Sequence, residues 1–344
     1  MAKTFLKNGK FIGDYSKPYI IAEVNTSHFG EVETAKKMID EAKIAGCDCV
    51  KFQSWSSDTL YSKSYYKKNK IAERIIKKFS LNEDQLIELS KYAKAKEIDF
   101  ASTPYSIEEA LFLVKKCNVP FIKIASMELN NKPFLTDLSR LGIPLILSTG
   151  MGSMDEIYDA VDAILSVGNE KLIILHCTSV YPAKPDIIRL NNILGLRLEF
   201  PHIPIGFSDH SLGIEIAVAA VALGACVIEK HLTLDKTRIG MDNQMATEPS
   251  EMSKMISSCH NVFESLGGAS RIICPLEKEQ IDRMRRSAVA KKDIAIGSTL
   301  DFNNVEFKRP GNGISPAKFE SVVGKKANKK ILYGEQIFFD DLEQ

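Results

Sequence analysis

The chain has 344 residues, more than one average domain, so we expect a large domain and a smaller one. Its 45 Lys and Arg residues nearly balance its 44 Asp and Glu residues, and the formal net charge of +1 is too small to attract nucleic acid or an anionic membrane. No apolar stretch approaches the ~18 residues that cross a bilayer, and no secretory signal is recognisable. We therefore expect a soluble cytoplasmic protein. The seven Cys residues include no CxxC pair, which argues against a disulfide framework and a structural zinc site.

Short β-branched runs alternate with segments of helical period from Pro18 to about Leu266. The predicted strands are 19–24, 49–54, 99–103, 121–126, 145–149, 172–178, 203–209 and 227–233. The predicted helices are 31–45, 81–96, 107–117, 133–141, 154–167, 212–223 and 250–266, and Ser80 and Ser106 are the expected N-caps of two of them. Eight strand-and-crossover repeats over about 250 residues predict an α/β fold, a (β/α)₈ TIM barrel, in preference to an open doubly wound sheet.

The composition of the sequence changes after Leu266, where Gly267 and Gly268 end the last predicted helix of the barrel. We predict a barrel domain at 1–268, a charged linker at 269–286 and a small β-rich domain at 287–344. Short strands are predicted at 293–297, 305–307, 322–323 and 331–339. So few apolar residues predict a module that buries little core alone and packs against a partner surface.

Polar residues stand at the end of every predicted barrel strand, where barrel enzymes place their active sites. They are Glu23, Lys51, Gln53, Thr103, Lys123, Ser126, Ser148, His176, Tyr181, Ser208, His210, Glu229 and His231. Any one of them alone would be explained as a rim residue or a helix cap. The whole set predicts an active site.

Lys51 and Lys123, together with several Ser and Thr hydroxyls, form the donor-rich cationic cluster that would hold a phosphate and a carboxylate. Two alternatives remain open. Each lysine could instead pair with a carboxylate such as Glu23, Glu128 or Glu229. One lysine could also form a Schiff base, as strand lysines of barrel aldolases do.

His210 and His231 end neighbouring strands, so their imidazoles can converge on one ion. Glu229 falls on the same strand face as His231. Two His ligands with oxygen ligands and no thiolate suit Mn²⁺ or a similar ion. A pair of hydrogen-bonded histidines without a metal is the alternative. In the last domain, a glycine-rich turn after Lys308 projects the guanidinium of Arg309, which alone would be a solvated charge.

Taken in order, these residues resemble the sialic acid synthase family, in which phosphoenolpyruvate is joined to an N-acylated hexosamine. The resemblance covers nearly the whole chain and is carried by IIAE (20–23), VKFQ (50–53), STP (102–104), IKIAS (122–126), LSTGM (147–151), HCTS (176–179), YP (181–182), SDH (208–210), IEKH (228–231), LDK (234–236) and KRPG (308–311). The tail resembles the SAF, or antifreeze-like, domain of that family, which reaches the partner's barrel in a domain-swapped homodimer.

The resemblance implies a role for each site residue. Phosphoenolpyruvate would be held by Lys51, Thr103, Lys123, Ser126, Ser148, Ser179 and Ser208. His210 and His231 would bind a divalent metal, with Mn²⁺ favoured and Mg²⁺ or Co²⁺ as alternatives. The sugar would be held by Glu23, Gln53, Tyr181, Asp242 and the partner subunit's Arg309. Glu23, Lys51, Lys123 and His231 are then the expected catalytic residues.

The expected reaction is a metal-dependent condensation of phosphoenolpyruvate with an open-chain N-acylated hexosamine, N-acetylmannosamine or a related sugar, giving a nonulosonic acid and phosphate. The segment 24–30, Trp55 and Asn243 depart from the usual family pattern. The acceptor could therefore be a diacetamido-dideoxyhexose that leads to a legionaminic- or pseudaminic-type acid. A Schiff-base aldolase using Lys123 is a further alternative, and a binding protein would be expected to have a degraded site.

Overall fold

A computed structural model describes residues 1–343, which fall into two units, Met1–Gly267 and Gly268–Gln344. Eight parallel strands form the centre of the first unit. They are β1 (Tyr19–Glu23), β2 (Cys49–Ser54), β3 (Asp99–Pro104), β4 (Ile122–Ile124), β5 (Leu145–Ser148), β6 (Leu172–Cys177), β7 (Ile205–Asp209) and β8 (Val227–His231). They are hydrogen-bonded in the order β3-β2-β1-β8-β7-β6-β5-β4, and β3 and β4 lie side by side. The predicted (β/α)₈ barrel is confirmed.

Helices follow the strands and cover the outside of the barrel. The main ones are Val32–Ala45, Lys70–Phe79, Glu83–Ala95, Ile107–Phe112 with a π-helical turn at Leu113–Cys117, Lys132–Ser139, Met154–Leu165, Asn192–Glu199, Glu215–Ala222 and Pro249–Leu266. Their apolar faces and the outward residues of the strands form the largest buried cluster. Within residues 1–343, no helix is both long enough and apolar enough to traverse a lipid bilayer.

A second buried cluster fills the amino-terminal end of the barrel. It joins Leu6 and Ile12 of the hairpin formed by Lys3–Phe5 and Phe11–Gly13 to Tyr19, Phe121 and Val227 at the strand starts. The hairpin therefore seals this end. The carboxyl ends of the strands remain for a site.

The predicted N-cap at Ser80 is wrong, because Ser80 ends the preceding helix Lys70–Phe79, which the sequence analysis did not predict. Asn82 caps the next helix instead. Its side chain accepts a hydrogen bond from the backbone N–H of Gln85 at 2.9 Å, and the Gln85 side chain accepts one from Asn82 at 2.9 Å. Ser106 caps Ile107–Phe112 as predicted, accepting from the N–H of Glu109 at 3.2 Å.

The second unit begins with a helix, Pro275–Met284, inside the segment predicted as a linker. It continues with an antiparallel pair, β9 (Ser287–Ala290) and β10 (Val305–Lys308). The predicted strand at 322–323 is wrong, since Val322 closes a 3₁₀ turn, Glu320–Val322.

The segments 293–297 and 331–339 form single bridges, such as Ile294 with Ile331, and not strands. Gly297 and Gly334 have φ near +80°, which interrupts extended pairing. The unit nevertheless buries its own apolar cluster, including Leu300, Ile314 and Phe319. The expectation that it buries little core alone is therefore wrong.

Candidate active site

A cavity of about 340 Å³ opens at the carboxyl ends of the barrel strands. Every barrel residue given a binding or catalytic role from the sequence lines it: Glu23, Lys51, Gln53, Thr103, Lys123, Ser126, Ser148, Ser179, Tyr181, Ser208, His210, His231 and Asp242. His176, which was counted among the strand-end residues, does not line it and instead pairs with the Ile188 carbonyl at 2.7 Å. Arg309 belongs to the second unit, where it is exposed in the turn after β10. The structure thus gathers the barrel residues in one place.

Strand register explains why these residues meet. Glu23, the last residue of β1, stands opposite Lys51 of β2 on one side and His231 of β8 on the other. Side chains two residues apart on a strand share a face, so Lys51 and Gln53 both reach the cavity, as do Glu229 and His231.

Two lysines and two glutamates form the floor of the cavity, and none of these side chains is more than 6% exposed. The Lys51 ammonium contacts the Glu23 carboxylate, lies 3.5 Å from Glu229 and donates to the Thr103 hydroxyl at 3.1 Å. Carboxylate pairing, one alternative from the sequence, is thus realised with Glu23 and Glu229.

Lys123 is less tightly paired than Lys51. It donates to the Ser148 hydroxyl at 2.7 Å and lies 3.8 Å from the Glu229 carboxylate. Burial lowers the pKa of Lys123, although the attraction of Glu229 opposes this shift. The Lys123 ammonium also donates to the Ile124 carbonyl at 3.1 Å, so Lys123 differs from Lys51 in its looser pairing with carboxylates, which leaves more of its charge for a bound anion.

Glu229 was counted among the strand-end residues and as a possible partner of the lysines, but the sequence analysis gave it no binding or catalytic role. Its carboxylate lies between Lys51 and Lys123 and accepts a hydrogen bond from the Ser208 hydroxyl at 2.9 Å. Burial alone would raise the pKa of Glu229, but the two ammonium groups outweigh it and lower the pKa to about 2. The available signal was its position two residues before His231, on the same strand face.

Glu23 differs from Glu229 in its electrostatics. Burial raises the pKa of Glu23, and the Lys51 ammonium only partly offsets this effect. The carboxylate also accepts hydrogen bonds from the Gln53 amide at 3.0 Å and the backbone N–H of Asn25 at 3.1 Å. Of the two buried carboxylates, Glu23 is therefore the better proton acceptor.

Tyr105 is a residue that the sequence analysis did not select. It follows β3 directly, lines the cavity and donates its hydroxyl to the Gln53 side chain at 2.7 Å. Gln53 is thereby held between Tyr105 and Glu23. The contact joins residues 52 positions apart, which strand-end spacing alone did not reveal.

Gly150, directly after Thr149 at the end of β5, creates a small polar recess. A side-chain carbon there would lie 2.1 Å from the Ser179 hydroxyl and 2.7 Å from the Ser126 hydroxyl. Because only glycine fits, the backbone N–H of Gly150 and the Ser126 hydroxyl come within 3.0 Å of each other. Amide and hydroxyl donors of this kind suit phosphate oxygens.

His210 and His231 face each other with ring centroids 5.4 Å apart. Two imidazoles that bind one ion through nitrogens at ~2.1 Å have ring centres roughly 5 Å apart, so the observed spacing fits a shared metal. The Thr178 carbonyl engages Nδ1 of His210 at 2.8 Å, which leaves Nε2 for an ion. Burial keeps the pKa of His231 well below its usual value, which favours the neutral imidazole that metals require.

The protein's own contribution to such a centre would be small. Within residues 1–343, no group of three or more His, Cys, Asp and Glu side chains is arranged to hold an ion. The two imidazoles would therefore leave coordination positions for substrate or water, as in an open catalytic site.

Apolar side chains surround the mouth of the cavity. Trp55, Leu60, Tyr61, Met127, Met151 and Met241 line it. The Trp55 and Tyr105 rings pack 5.7 Å apart at one edge. Lys51 and Lys123 are the only Lys or Arg residues among the side chains of residues 1–343 that line the cavity, and both belong to its floor.

A closed parallel barrel with buried charges and paired imidazoles at its strand ends defines the class: a (β/α)₈-barrel enzyme. The model of the NeuB family matches residues 38–271, and that of the SAF domain matches residues 285–343. The chain belongs to the NeuB family and ends in a SAF domain. The resemblance noted in the sequence is confirmed.

Relatives cover nearly the whole chain. The N,N'-diacetyllegionaminic acid synthase of Campylobacter jejuni is 36% identical over 93% of this chain and 99% of its own length. The human N-acetylneuraminate-9-phosphate synthase is 35% identical over 92% of this chain and 90% of its own length. The crystal structure of an N-acetylneuraminic acid synthetase from Leptospira borgpetersenii is 34% identical with a TM-score of 0.74, covering 81% of this chain and 95% of that one.

Proposed function

We propose that the protein condenses phosphoenolpyruvate with the open-chain form of an N-acylated hexosamine, giving a nonulosonic acid and phosphate. The observation that carries the proposal is the convergence of two buried lysines, several hydroxyls and an imidazole pair in one cavity at the strand ends. Family membership supports it, since relatives along the full chain are named as synthases of legionaminic and neuraminic acids.

The phosphoenolpyruvate subsite would lie at Lys51, Lys123 and the recess around Gly150. Hydroxyl groups of Thr103, Ser126, Ser148, Ser179 and Ser208 complete it. The floor carries two positive and two negative side chains. A substrate with several negative charges therefore needs further cations nearby, because buried charges must be paired.

We assign part of that positive charge to a divalent metal held by His210 and His231, with Mn²⁺ favoured and Mg²⁺ or Co²⁺ as alternatives. When bound, such an ion would polarise the aldehyde carbonyl of the acceptor sugar as a Lewis acid. The partner subunit's Arg309 would contact the acceptor sugar, in a domain-swapped dimer in which each SAF domain serves the other barrel.

The residues of this chain would act in a fixed sequence. Lys51 and Lys123 hold phosphoenolpyruvate so that its C3 forms the new bond to the sugar aldehyde carbon. Glu23 orients a water molecule that adds to C2, and its carboxylate takes the proton that the water loses. The bond between C2 and the bridging phosphate oxygen then breaks, and the C2 hydroxyl gives its proton to the departing phosphate, which leaves a ketone at C2. The proton taken by Glu23 passes to the alkoxide formed from the sugar aldehyde, while the lysines stabilise the phosphate.

Gln53, Tyr181, Asp242 and Glu23 would contact the acceptor, which we propose to be N-acetylmannosamine or a related sugar.

The rim of the cavity favours one kind of acceptor sugar among these. Within residues 1–343 of the same chain, the cavity lining contributes apolar side chains and no lysine or arginine to this rim. Apolar side chains suit the extra methyl and acetyl groups of an unphosphorylated diacetamido-dideoxyhexose, the precursor of a legionaminic- or pseudaminic-type acid, more than a sugar phosphate.

A panel of N-acylated hexosamines tests the proposal directly. Each sugar is supplied with phosphoenolpyruvate and Mn²⁺, and phosphate release and product mass are recorded. We expect stoichiometric phosphate and a product whose mass equals sugar plus phosphoenolpyruvate plus water minus phosphoric acid. Pyruvate trapping on Lys123 by borohydride, without phosphate release, would instead establish the Schiff-base aldolase.

A further inference from the structure

A buried ion pair lies just behind the cavity, on the outward faces of β7 and β8. Lys230 stands directly opposite Asp209 in the strand register, and their side chains are 2% and 0% exposed. Both alternate with residues that line the cavity: Ser208 and His210 flank Asp209, while Glu229 and His231 flank Lys230. The pair therefore connects the backbones that carry both imidazoles, without reaching the substrate cavity.

The hydrogen bonds of the pair enclose His210. The Lys230 ammonium donates to the Asp209 carboxylate and to the Ser211 carbonyl, both at 2.7 Å. The second oxygen of Asp209 accepts from the Ser211 backbone N–H at 2.8 Å and from its hydroxyl at 2.7 Å. The residues before and after His210 are thus tied to each other and to β8. His210 itself holds the Ala183 N–H through its carbonyl at 2.9 Å.

Packing alone does not require this arrangement. Removing two charges from water is costly, and an apolar pair of similar volume often stabilises a fold equally well. The hydrogen bonds instead fix the turn that follows β7, which presents one of two imidazoles to the cavity. In metal sites, residues that do not bind the ion commonly hold the metal-binding side chains in position through such hydrogen bonds.

We infer that Lys230 and Asp209 are positioning residues, which hold the Asp209–Ser211 turn so that His210 and His231 are preorganised to bind one divalent ion. The inference rests on the metal site of the proposed function. It concerns residues that do not touch the ion or the substrate, and it assigns the effect to metal affinity.

The test measures Mn²⁺ binding by the full chain after removal of metal with a chelator, following the electron paramagnetic resonance signal of free Mn²⁺. The variants are Lys230→Met, Asp209→Asn and the apolar double variant Lys230→Met/Asp209→Leu. We expect each to bind Mn²⁺ about 10- to 100-fold more weakly. The matched control is Arg197→Met, which breaks the ion pair of Arg197 with buried Asp14 at the opposite end of β7.

The double variant separates positioning from stability. Each single variant can leave an unpaired buried charge and unfold, whereas the double variant removes both charges and should recover thermal stability. Its Mn²⁺ defect should persist, because the bonds that fix the turn remain absent. Amide hydrogen exchange of residues 209–213 should also be faster in this variant than in the parent or in Arg197→Met.

Two results would overturn the inference. One is a folded double variant with the Mn²⁺ affinity of the parent; the other is an equal loss of affinity in Arg197→Met. A parent protein that binds no Mn²⁺ would overturn the metal assignment, and the inference with it. Altered exchange at 209–213 would in that case show that the pair fixes the turn for another purpose.

Discussion

The floor and the rim of the cavity are built from opposite kinds of side chain. At the floor, Lys51 and Lys123 are each 3% exposed and contact carboxylates and hydroxyls that are equally buried. At the rim, Met151 and Met241 are 70% and 47% exposed. The floor is therefore rigid and charged, and the rim is open and apolar.

We expect the floor to carry out the reaction and the rim to select the acceptor sugar. Buried polar groups held by ion pairs and hydrogen bonds are preorganised for the reacting atoms, and a change there leaves an unpaired charge. Exposed apolar contacts contribute little individually, but they differ in which sugar substituents they accept. We expect substitutions in the floor to abolish the reaction with every acceptor, and substitutions at the rim to change the ranking of acceptors.

The largest expected effect is that of removing the proposed metal. Chelation should abolish turnover, Mn²⁺ should restore it, and His210→Ala or His231→Ala should prevent the restoration. A Lewis acid contributes several kcal/mol, so a decrease of about 10³-fold or more is expected in kcat. His260→Ala, in the outer helix Pro249–Leu266, is the control. Full activity of both cavity variants in the presence of chelator would end the metal hypothesis.

The next effect concerns the anion subsite. Lys123→Met removes a buried cation of the proposed phosphoenolpyruvate subsite, one that lies 3.8 Å from its carboxylate neighbour Glu229. We therefore expect kcat/KM for phosphoenolpyruvate to fall by about 10²- to 10³-fold. The KM for the sugar should change far less. Lys132→Met, at an exposed lysine paired with Asp159, makes the same substitution outside the cavity. A raised sugar KM with unchanged phosphoenolpyruvate kinetics would mean that the two subsites are reversed.

The floor was the part of the site that sequence predicted best. Alternating strands place residues such as Lys51 and Gln53 on one face by a period of two, and strand ends meet in any parallel barrel. The bridging contacts of Glu229 and the Tyr105–Gln53 bond depend on side-chain packing between strands, which spacing does not encode.

The SAF domain was predicted less well at the level of its strands. Its backbone turns at glycines such as Gly297 and Gly334, so its core residues fall on bridges and short turns, without the regular period of a strand. One N-cap in the barrel was also predicted wrongly. The helix Lys70–Phe79, which was not predicted, ends at Ser80, so the next helix is capped by Asn82 instead.

The third prediction asks whether the acceptor sugar is bound by Arg309 of the partner subunit. Arg309→Ala should lower kcat/KM for the sugar by roughly 10- to 100-fold, the effect of losing hydrogen bonds to a charged or polar group. It should not change folding, because Arg309 is exposed.

Mixing Arg309→Ala chains with Lys123→Met chains shows whether Arg309 acts on its own barrel or on that of the partner subunit. A heterodimer has one barrel with both residues intact if Arg309 acts across the dimer, so activity should exceed that of either parent. Absence of recovery after verified subunit exchange would mean that Arg309 serves its own barrel or has no contact with substrate.

The smallest expected effect is at the rim, where charge can be added without disturbing the floor. Met241 lines the cavity and is half exposed, so Met241→Lys adds an ammonium group to the rim, within the cavity that the acceptor sugar would enter. Exposed ion pairs contribute only about 0.2–1 kcal/mol, so kcat/KM for a sugar 6-phosphate relative to a diacetamido-dideoxyhexose should rise by roughly 1.4- to 5-fold. The increase should shrink at high salt, since screening weakens exposed pairs. Met154→Lys, at an exposed methionine outside this cavity, should leave the ratio unchanged. If Met241→Lys instead lowered turnover equally with both acceptors, the rim would contribute to the reaction itself and not to the choice of sugar.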